Sequence, residues 1–305
     1  MEVSRGNDSV RKEVQKAAVL IEALPYIQFL QGKVVLIKLG GSAMTTPARV
    51  EEVLRDIVFM EAVGVKPVVV HGGGNAISLR MKDAGIAPQF IEGLRVTGRE
   101  SIEIVREVLS GINKTLTRQI SSLGGRAVGL SDREDNVIKA RKLQPLFSDS
   151  MGNSNPIDIG FVGEVDRVET KPILKIIRSN KIPVIAPYGT DEDGRVYNIN
   201  GDMTAGSIAA ELKAEKLVFL TDVEGIMTKA DQREQRQVLS SLKREEIVRL
   251  LKEETIVGGM IPKVTAGLYA LEHGVKKIHI IDGRLKHSLL LEIFTDKRIG
   301  TEIVS

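Results

Sequence analysis

The sequence predicts an α/β protein, a three-layer sandwich in which a central, mainly parallel sheet carries helices on both faces and two lobes share that sheet. Three observations predict it. Continuous apolar runs recur, as at 34–37 and 68–70, and such runs mark strands buried on both faces. Segments with helical spacing separate them. Two runs end in glycine-rich turns, "KLGGS" at 38–42 and "VHGGGN" at 70–75, at the carboxyl strand ends where open parallel sheets bind ligands.

Residues 1–8 are polar. Ser9 is the expected N-cap of a first helix in which Val10, Val14, Ala17, Ala18, Ile21 and Leu24 recur at helical spacing. Pro25 is expected to kink it before Tyr26 to Leu30. The helix lies outside the strand–helix alternation, so its apolar stripe needs either the body or another subunit to cover it. Strands are then expected at 33–39, 67–71, 126–131, 182–187, 216–222 and 276–282. Between them helices are expected near 47–62, 75–84, 100–123, 170–180, 203–213, 242–254 and 260–273. Short alternating segments with Gly, Asn and Asp turns at 86–98, 137–169 and 188–200 read as hairpins on one edge. No repeat or flexible linker divides the chain. The expected organisation is an extension helix (1–30), one lobe (31–187) and a second lobe (188–305), meeting near Pro187.

Composition narrows the function. The 305 residues are 42% hydrophobic, enough for a full core. The 43 basic and 40 acidic residues are interspersed, only 4% of residues are aromatic and none is Trp, which disfavours nucleic acid as a partner. The absence of cysteine excludes disulfides, thiolate metal sites and cysteine nucleophiles. No apolar run approaches the roughly 18 residues of a membrane span, and "MEVSRGNDSVRKEV" lacks a signal-peptide core. The expectation is a soluble, cytoplasmic protein. His71, His273, His279 and His287 show no metal-ligand spacing and read as structural, so no metal is expected to be held by the protein itself.

The familiar phosphate motifs are missing. No GxxxxGK[ST] occurs, and Gly72 and Gly74 are followed by Ile77 where a dinucleotide fingerprint needs Gly or Ala. Lys38 nonetheless sits in an otherwise apolar strand, a costly place unless its ammonium emerges at an anion or snorkels to the strand end. In "YNINGDMTAG", Asn198, Asn200 and Asp202 alternate and would share one side of an extended segment, although Asp202 also suits an N-cap. "LVFLTDVEG" ends a buried strand in Thr221-Asp222, and "VGGMIPKVTAG" puts Lys263 in the first turns of a helix, where a cation opposes the macrodipole unless an anion intervenes.

As an ordered series, "KVVLIKLGGSAM", "VVVHGGGN", "GLRVTGRES", "GFVGEV", "IPVIAP", "YNINGD", "LTDVEG", "GGMIPKV", "HIIDGR" and "LEIFT" resemble the amino acid kinase family, and within it the members acting on N-acetyl-L-glutamate. The resemblance implies the amino acid kinase fold and phosphorylation of that side-chain carboxylate by ATP, with Mg2+ held mainly by the phosphates, in arginine synthesis. It implies that Lys38 and Lys263 neutralise the phosphoryl group in transfer and that Asp202 holds both. Gly40 and Gly41 would offer backbone N–H groups to the ATP phosphates, and Gly73 and Gly74 would do so for the acceptor. Arg95 would grip the α-carboxylate, Asn198 the acetamido region, and Thr221 and Asp222 would lie near the nucleotide. Relatives with an N-terminal helix further imply a hexamer, a trimer of dimers, inhibited by L-arginine, with Glu292, His279 and Gly300 as the candidate effector residues. Three positions depart from the family pattern: "LSDREDNV", Gly98, and Arg298, which stands where a glycine is expected and would crowd or repel the effector. The alternatives are a kinase for a longer acyl-amino acid of the aminoadipate type and a catalytically silent arginine-sensing subunit.

Overall fold

A computed structural model describes residues 3–41, 44, 46–131, 137–148, 154–228 and 237–305. Helix α1 (Val3–Leu30) leads into β1 (Val34–Leu39), α2 (Pro47–Ala62), β2 (Lys66–His71) and α3 (Gly74–Asp83). The strands β3 (Phe90–Ile91) and β4 (Leu94–Arg95) precede the long α4 (Arg99–Ser122) and β5 (Ala127–Leu130). Next come β6 (Ile138–Lys142), β7 (Leu146–Ser148), β8 (Ser154–Pro156), β9 (Val162–Val168), α5 (Thr170–Arg178) and β10 (Ile182–Ile185). The chain continues through β11 (Tyr188–Thr190), β12 (Val196–Ile199), α6 (Gly201–Glu211) and β13 (Lys216–Thr221). It ends with β14 (Ser241–Lys243), α7 (Arg244–Lys252), α8 (Met260–Glu272), β15 (Lys277–Asp282), α9 (Ser288–Phe294) and β16 (Thr301–Val304).

Eight strands form the central sheet in the order β14-β16-β15-β13-β1-β2-β10-β5. Every pairing in it is parallel except β15 with β16. Strand β1 occupies the middle, between β2 and β13. Side chains alternate across a strand, so Val35, Ile37 and Leu39 enter the core under α2 and α9 while Leu36 packs with Ala205 and Ile208 of α6. Lys38 shares the parity of Leu36 and so faces α6.

The expected hairpins are more closely knit than the sequence suggests. Strands β6 and β9 pair antiparallel and close with β11 and β12 into a four-stranded barrel. The segment after Pro187 thus completes a barrel begun before it. Helix α1 begins at Val3, so Ser9 is helical rather than an N-cap, and the helix continues through Pro25 unbroken. The side chain of Val10, Ser42 and residues 132–136 of "LSDREDNV" lie outside the described residues.

Helices α6 and α8 cross closely because Gly206 has no side chain: a Cβ there would lie 2.7 Å from the Ala266 carbonyl oxygen. That contact sets the distance between the two helices near their midpoints. Gly206→Ala is expected to destabilise the fold by about 1–3 kcal/mol through overpacking, despite the better helix propensity of alanine. A thermal melt that rises would count against this account of the crossing.

Candidate active site

The two glycine turns and α6 converge at the carboxyl end of the sheet. Asn200 is the N-cap of α6, its side chain accepting from the N–H groups of Asp202 (2.8 Å) and Met203 (3.2 Å). The alternation expected over Asn198, Asn200 and Asp202 fails at Ile199, where the strand ends; Asp202 belongs to the first helical turn. All three still line one cavity.

Asp202 is the centre of charge. Its Oδ1 lies 2.7 Å from Lys38 Nζ and its Oδ2 3.1 Å from Lys263 Nζ. The first contact is close in distance but outside hydrogen-bond alignment; the second is a hydrogen bond. Burial pushes the Asp202 carboxyl up, but the charges of Lys38 and Lys263 outweigh it and hold the group below the ordinary carboxylate range. Lys263 also donates to the Gly259 carbonyl at the N-terminus of α8 (3.1 Å). The sequence-expected trio is therefore brought together, and Lys38 does not snorkel away from it.

Lys38 lies in the wall between two cavities. One, of about 250 Å3, is lined by Gly73, Gly74, Arg95, Asn198 and Asp202. The other, of about 340 Å3, is lined by Gly40, Thr221, Asp222 and Lys263. Lys38, Gly41 and Asn75 line both.

In the first cavity Arg95 is 7% exposed. Its Nη2 donates to the Gly74 carbonyl and Ser78 Oγ, both at 2.8 Å, and its Nη1 approaches Met81 Sδ at 3.4 Å. The guanidinium also lies over the Phe90 ring, 4.7 Å from its centroid. All these partners are neutral, and burial lowers the guanidinium pKa. Desolvated and without a carboxylate among these partners, the charge suits a bound anion. Asn198 Nδ2 reaches Thr97 Oγ1 at 3.4 Å, and Thr97 Oγ1 donates to the Arg95 carbonyl.

In the second cavity one expectation needs correction. The Gly40 N–H donates to the Leu220 carbonyl at 3.2 Å, extending the β1–β13 ladder instead of facing a ligand. Glycine is required there because a Cβ would lie 2.6 Å from the same oxygen. The Thr221 hydroxyl is engaged in the turn after β13, donating to the Val223 carbonyl (2.8 Å), while Asp222 stands exposed on the rim. Arg49 and Arg284 line this cavity and Asn75 both cavities; the sequence reading missed all three roles, although the Asn75 position was visible in "VHGGGN". A third, largely apolar cavity of about 450 Å3 follows directly, lined by Val223, Ile226, Met227, Ile256, Val257 and Met260. Its sequence signal was two apolar clusters flanking the motifs, "VEGIM" and "TIVGGM".

The residues expected to take an effector are arranged otherwise. His279 Nδ1 donates to Glu292 Oε1 at 2.7 Å, Lys216 Nζ approaches His279 Nε2 at 3.2 Å, and the Ile299 N–H donates to Glu292 Oε2 at 2.9 Å. Both Glu292 oxygens thus already accept, in a side chain 1% exposed. Gly300 lies so close to β15 that a Cβ would meet the Ile280 carbonyl oxygen at 2.3 Å, which accounts for it sterically. Arg298 pairs with Glu302 at 3.1 Å, beside Lys277.

The sequence profile of the amino acid kinase family matches residues 33–282. This chain belongs to the amino acid kinase family. It is 47% identical over 294 residues to the acetylglutamate kinase of Heliobacterium modesticaldum, a match that covers 96% of this chain and 99% of that one. Among solved structures, N-acetylglutamate synthase from Neisseria gonorrhoeae, complexed with coenzyme A and N-acetyl-glutamate, superposes with a TM-score of 0.80 at 24% identity. That match covers 95% of this chain and 63% of the synthase, so the chain spans less than two thirds of the synthase's length. The same synthase complexed with coenzyme A and L-arginine gives 0.78 at 23%, covering 94% and 65%. Carbamate kinase from Giardia lamblia bound to AMP-PNP gives 0.64 at 18%, covering 90% and 98%. These structural likenesses establish the amino acid kinase fold. Among the described residues, no helix is long and apolar enough to cross a membrane.

Proposed function

We propose that this chain transfers the γ-phosphoryl group of ATP to the side-chain carboxylate of N-acetyl-L-glutamate, the kinase step of arginine biosynthesis. One observation carries the reading: the buried Arg95 guanidinium, contacted by neutral groups, opens into a cavity whose far wall is Lys38. The acetylglutamate kinase relative supports the acceptor. Arg95 takes the α-carboxylate, Asn198 the acetamido group, and the turn at Gly73 and Gly74 the reacting end. Gly41, Thr221 and Asp222 flank the donor phosphates, and the apolar cavity beyond takes the base.

The acceptor carboxylate is ionised at neutral pH, so no general base is needed and no proton moves. A carboxylate oxygen attacks Pγ as the bond from Pγ to the bridging oxygen breaks, and the electron pair leaves with ADP. The obstacle is bringing two anions together, and preorganised cations meet it. In this reading Lys38, in the wall that both cavities share, and Lys263, on the donor side, flank the transferred group, both held by Asp202. When bound, Mg2+ would supply further positive charge to the phosphate oxygens. Asp202 is already engaged by two lysines, and no group of three or more acidic or histidine residues is placed to hold a metal among the described residues. In this reading Mg2+ would be held mainly by the phosphates.

A coupled ADP-release assay with and without N-acetyl-L-glutamate tests the reading, with the N-acetyl-aminoadipate homologue as the longer acceptor. Release should depend on N-acetyl-L-glutamate. Acceptor-independent release, or preference for the longer acceptor, would overturn it.

The same reading extends to assembly in the cytoplasm. On α1, Val14, Val19, Leu20, Ile21 and Phe29 are more than half exposed, while Leu30 at its end is buried. A second copy of the helix would cover these side chains by symmetry, joining dimers into a hexamer. Inhibition by L-arginine goes with it. The paired Glu292 and the Arg298–Glu302 ion pair predict a weak response in the wild type and a stronger one in Arg298→Gly. Sedimentation should show that deleting residues 1–30 leaves an active dimer. A full-length dimer, or equal arginine response in both proteins, would refute the respective half.

A further inference from the structure

His71 closes β2 immediately before the acceptor-side glycine turn, fully buried. Its protonation can be worked out from its neighbours. The Val184 carbonyl can only accept, so the side-chain nitrogen of Asn113, 2.8 Å away, must be the amide NH2. The same nitrogen lies 3.3 Å from His71 Nε2, which therefore accepts. The proton is then on Nδ1, which lies 2.9 Å from the Gly72 carbonyl oxygen, a group able only to accept. Each assignment requires the next, and the ring is neutral. Burial pushes its pKa down to about 4, in keeping with that state.

The consequence lies across one peptide bond. In a trans peptide the C=O and the following N–H point in opposite directions. Drawing the Gly72 carbonyl toward His71 turns the Gly73 N–H the other way. Gly73 and Gly74 line the cavity that Lys38 and Arg95 share. Helix α4 supplies Asn113 and strand β10 supplies Val184, so two elements remote from the site in sequence fix the plane of this one peptide.

We propose that His71 is a positioning residue whose Nδ1–H holds the Gly72 carbonyl back and so aims the Gly73 N–H at the reacting carboxylate, with Asn113 selecting the tautomer. The assignment rests on the acceptor reading above. It differs from a packing role because it depends on a donor at one ring position.

Leucine at 71 fills similar space without a donor, whereas asparagine can present an amide N–H near the Nδ1 position. His71→Leu is expected to lower kcat roughly 10- to 100-fold, the scale of losing one backbone donor to a developing charge, with ATP affinity unchanged. His71→Asn should recover most of the loss. Asn113→Leu should leave a mixed tautomer and an intermediate rate. Long-range proton–nitrogen correlation on the full-length protein with 15N-labelled histidine should show His71 protonated at Nδ1 only, near neutral pH. An Nε2–H or doubly protonated ring would overturn the proposal. A folded His71→Asn variant as slow as His71→Leu, or a His71→Leu variant at wild-type rate, would also overturn it. If the wild type does not phosphorylate N-acetyl-L-glutamate, the acceptor reading fails, and the tautomer measurement still decides the geometry.

Discussion

Lys38→Ala is expected to lower kcat by about two to four orders of magnitude while changing acceptor KM much less. The ammonium stands in the wall that both cavities share, 2.7 Å from Asp202 Oδ1. Its attraction is greatest when negative charge crosses from donor to acceptor, so its loss falls on the transition state. Removing it also weakens the pairing of a buried carboxylate, and unpaired buried charge can cost several kcal/mol. Thermal melts of the variant separate that effect from catalysis. Lys38→Arg keeps the charge with a different reach and should fold normally yet remain slow. Lys263→Ala, on the opposite side of Asp202, should behave alike. Either alanine variant turning over within tenfold of the wild type would remove the lysines from the proposed mechanism.

Arg95→Lys should show the opposite kinetic split. Acceptor KM is expected to rise about 10- to 100-fold, the equivalent of losing a charge-assisted hydrogen bond worth roughly 1.5–3 kcal/mol, while kcat changes by less than tenfold. Guanidinium geometry decides this. One Nη2 already serves Gly74 and Ser78, and the plane of the group lies against Phe90. A lysine ammonium would keep the charge but lose both the fork and the stacking. Initial-rate measurements at saturating ATP check it, and an unchanged acceptor KM would mean that Arg95 holds the turn rather than the substrate.

Much of this arrangement was legible in the chain. The parallel strands announced themselves because strands buried on both faces leave no polar alternation, and observed and expected boundaries for β1, β2, β13 and β15 differ by a residue or less. Lys38 was conspicuous as a charge among Val, Leu and Ile. What stayed hidden was tertiary. Strands β14 and β16 and helix α9 are only three, four and seven residues long and take their places from neighbours rather than from local pattern. Barrel closure pairs β6 with β11 and β9 with β12, parallel neighbours far apart in the chain, which the hairpin pattern does not record. The Asn200 cap was misread because three alternating polar residues look like one face until the strand stops at Ile199. Glu292 looked like a guanidinium receptor in the sequence, and only packing shows that His279 and the Ile299 amide already fill that role.

The position of β1 has a consequence for how such a protein changes over generations. The smaller cavity takes lining residues from α3, β3, β4 and the β12–α6 junction, the other from the turn after β1, α2, β13, α8 and Arg284, and Lys38, Gly41 and Asn75 line both. Substitutions that recut the shape around Arg95 and Asn198 can therefore accumulate without touching the other side. Inheritance acts on two nearly independent halves joined along one strand. A new acceptor can be acquired while the old phosphoryl donor is retained, so selection can explore substrates one half at a time.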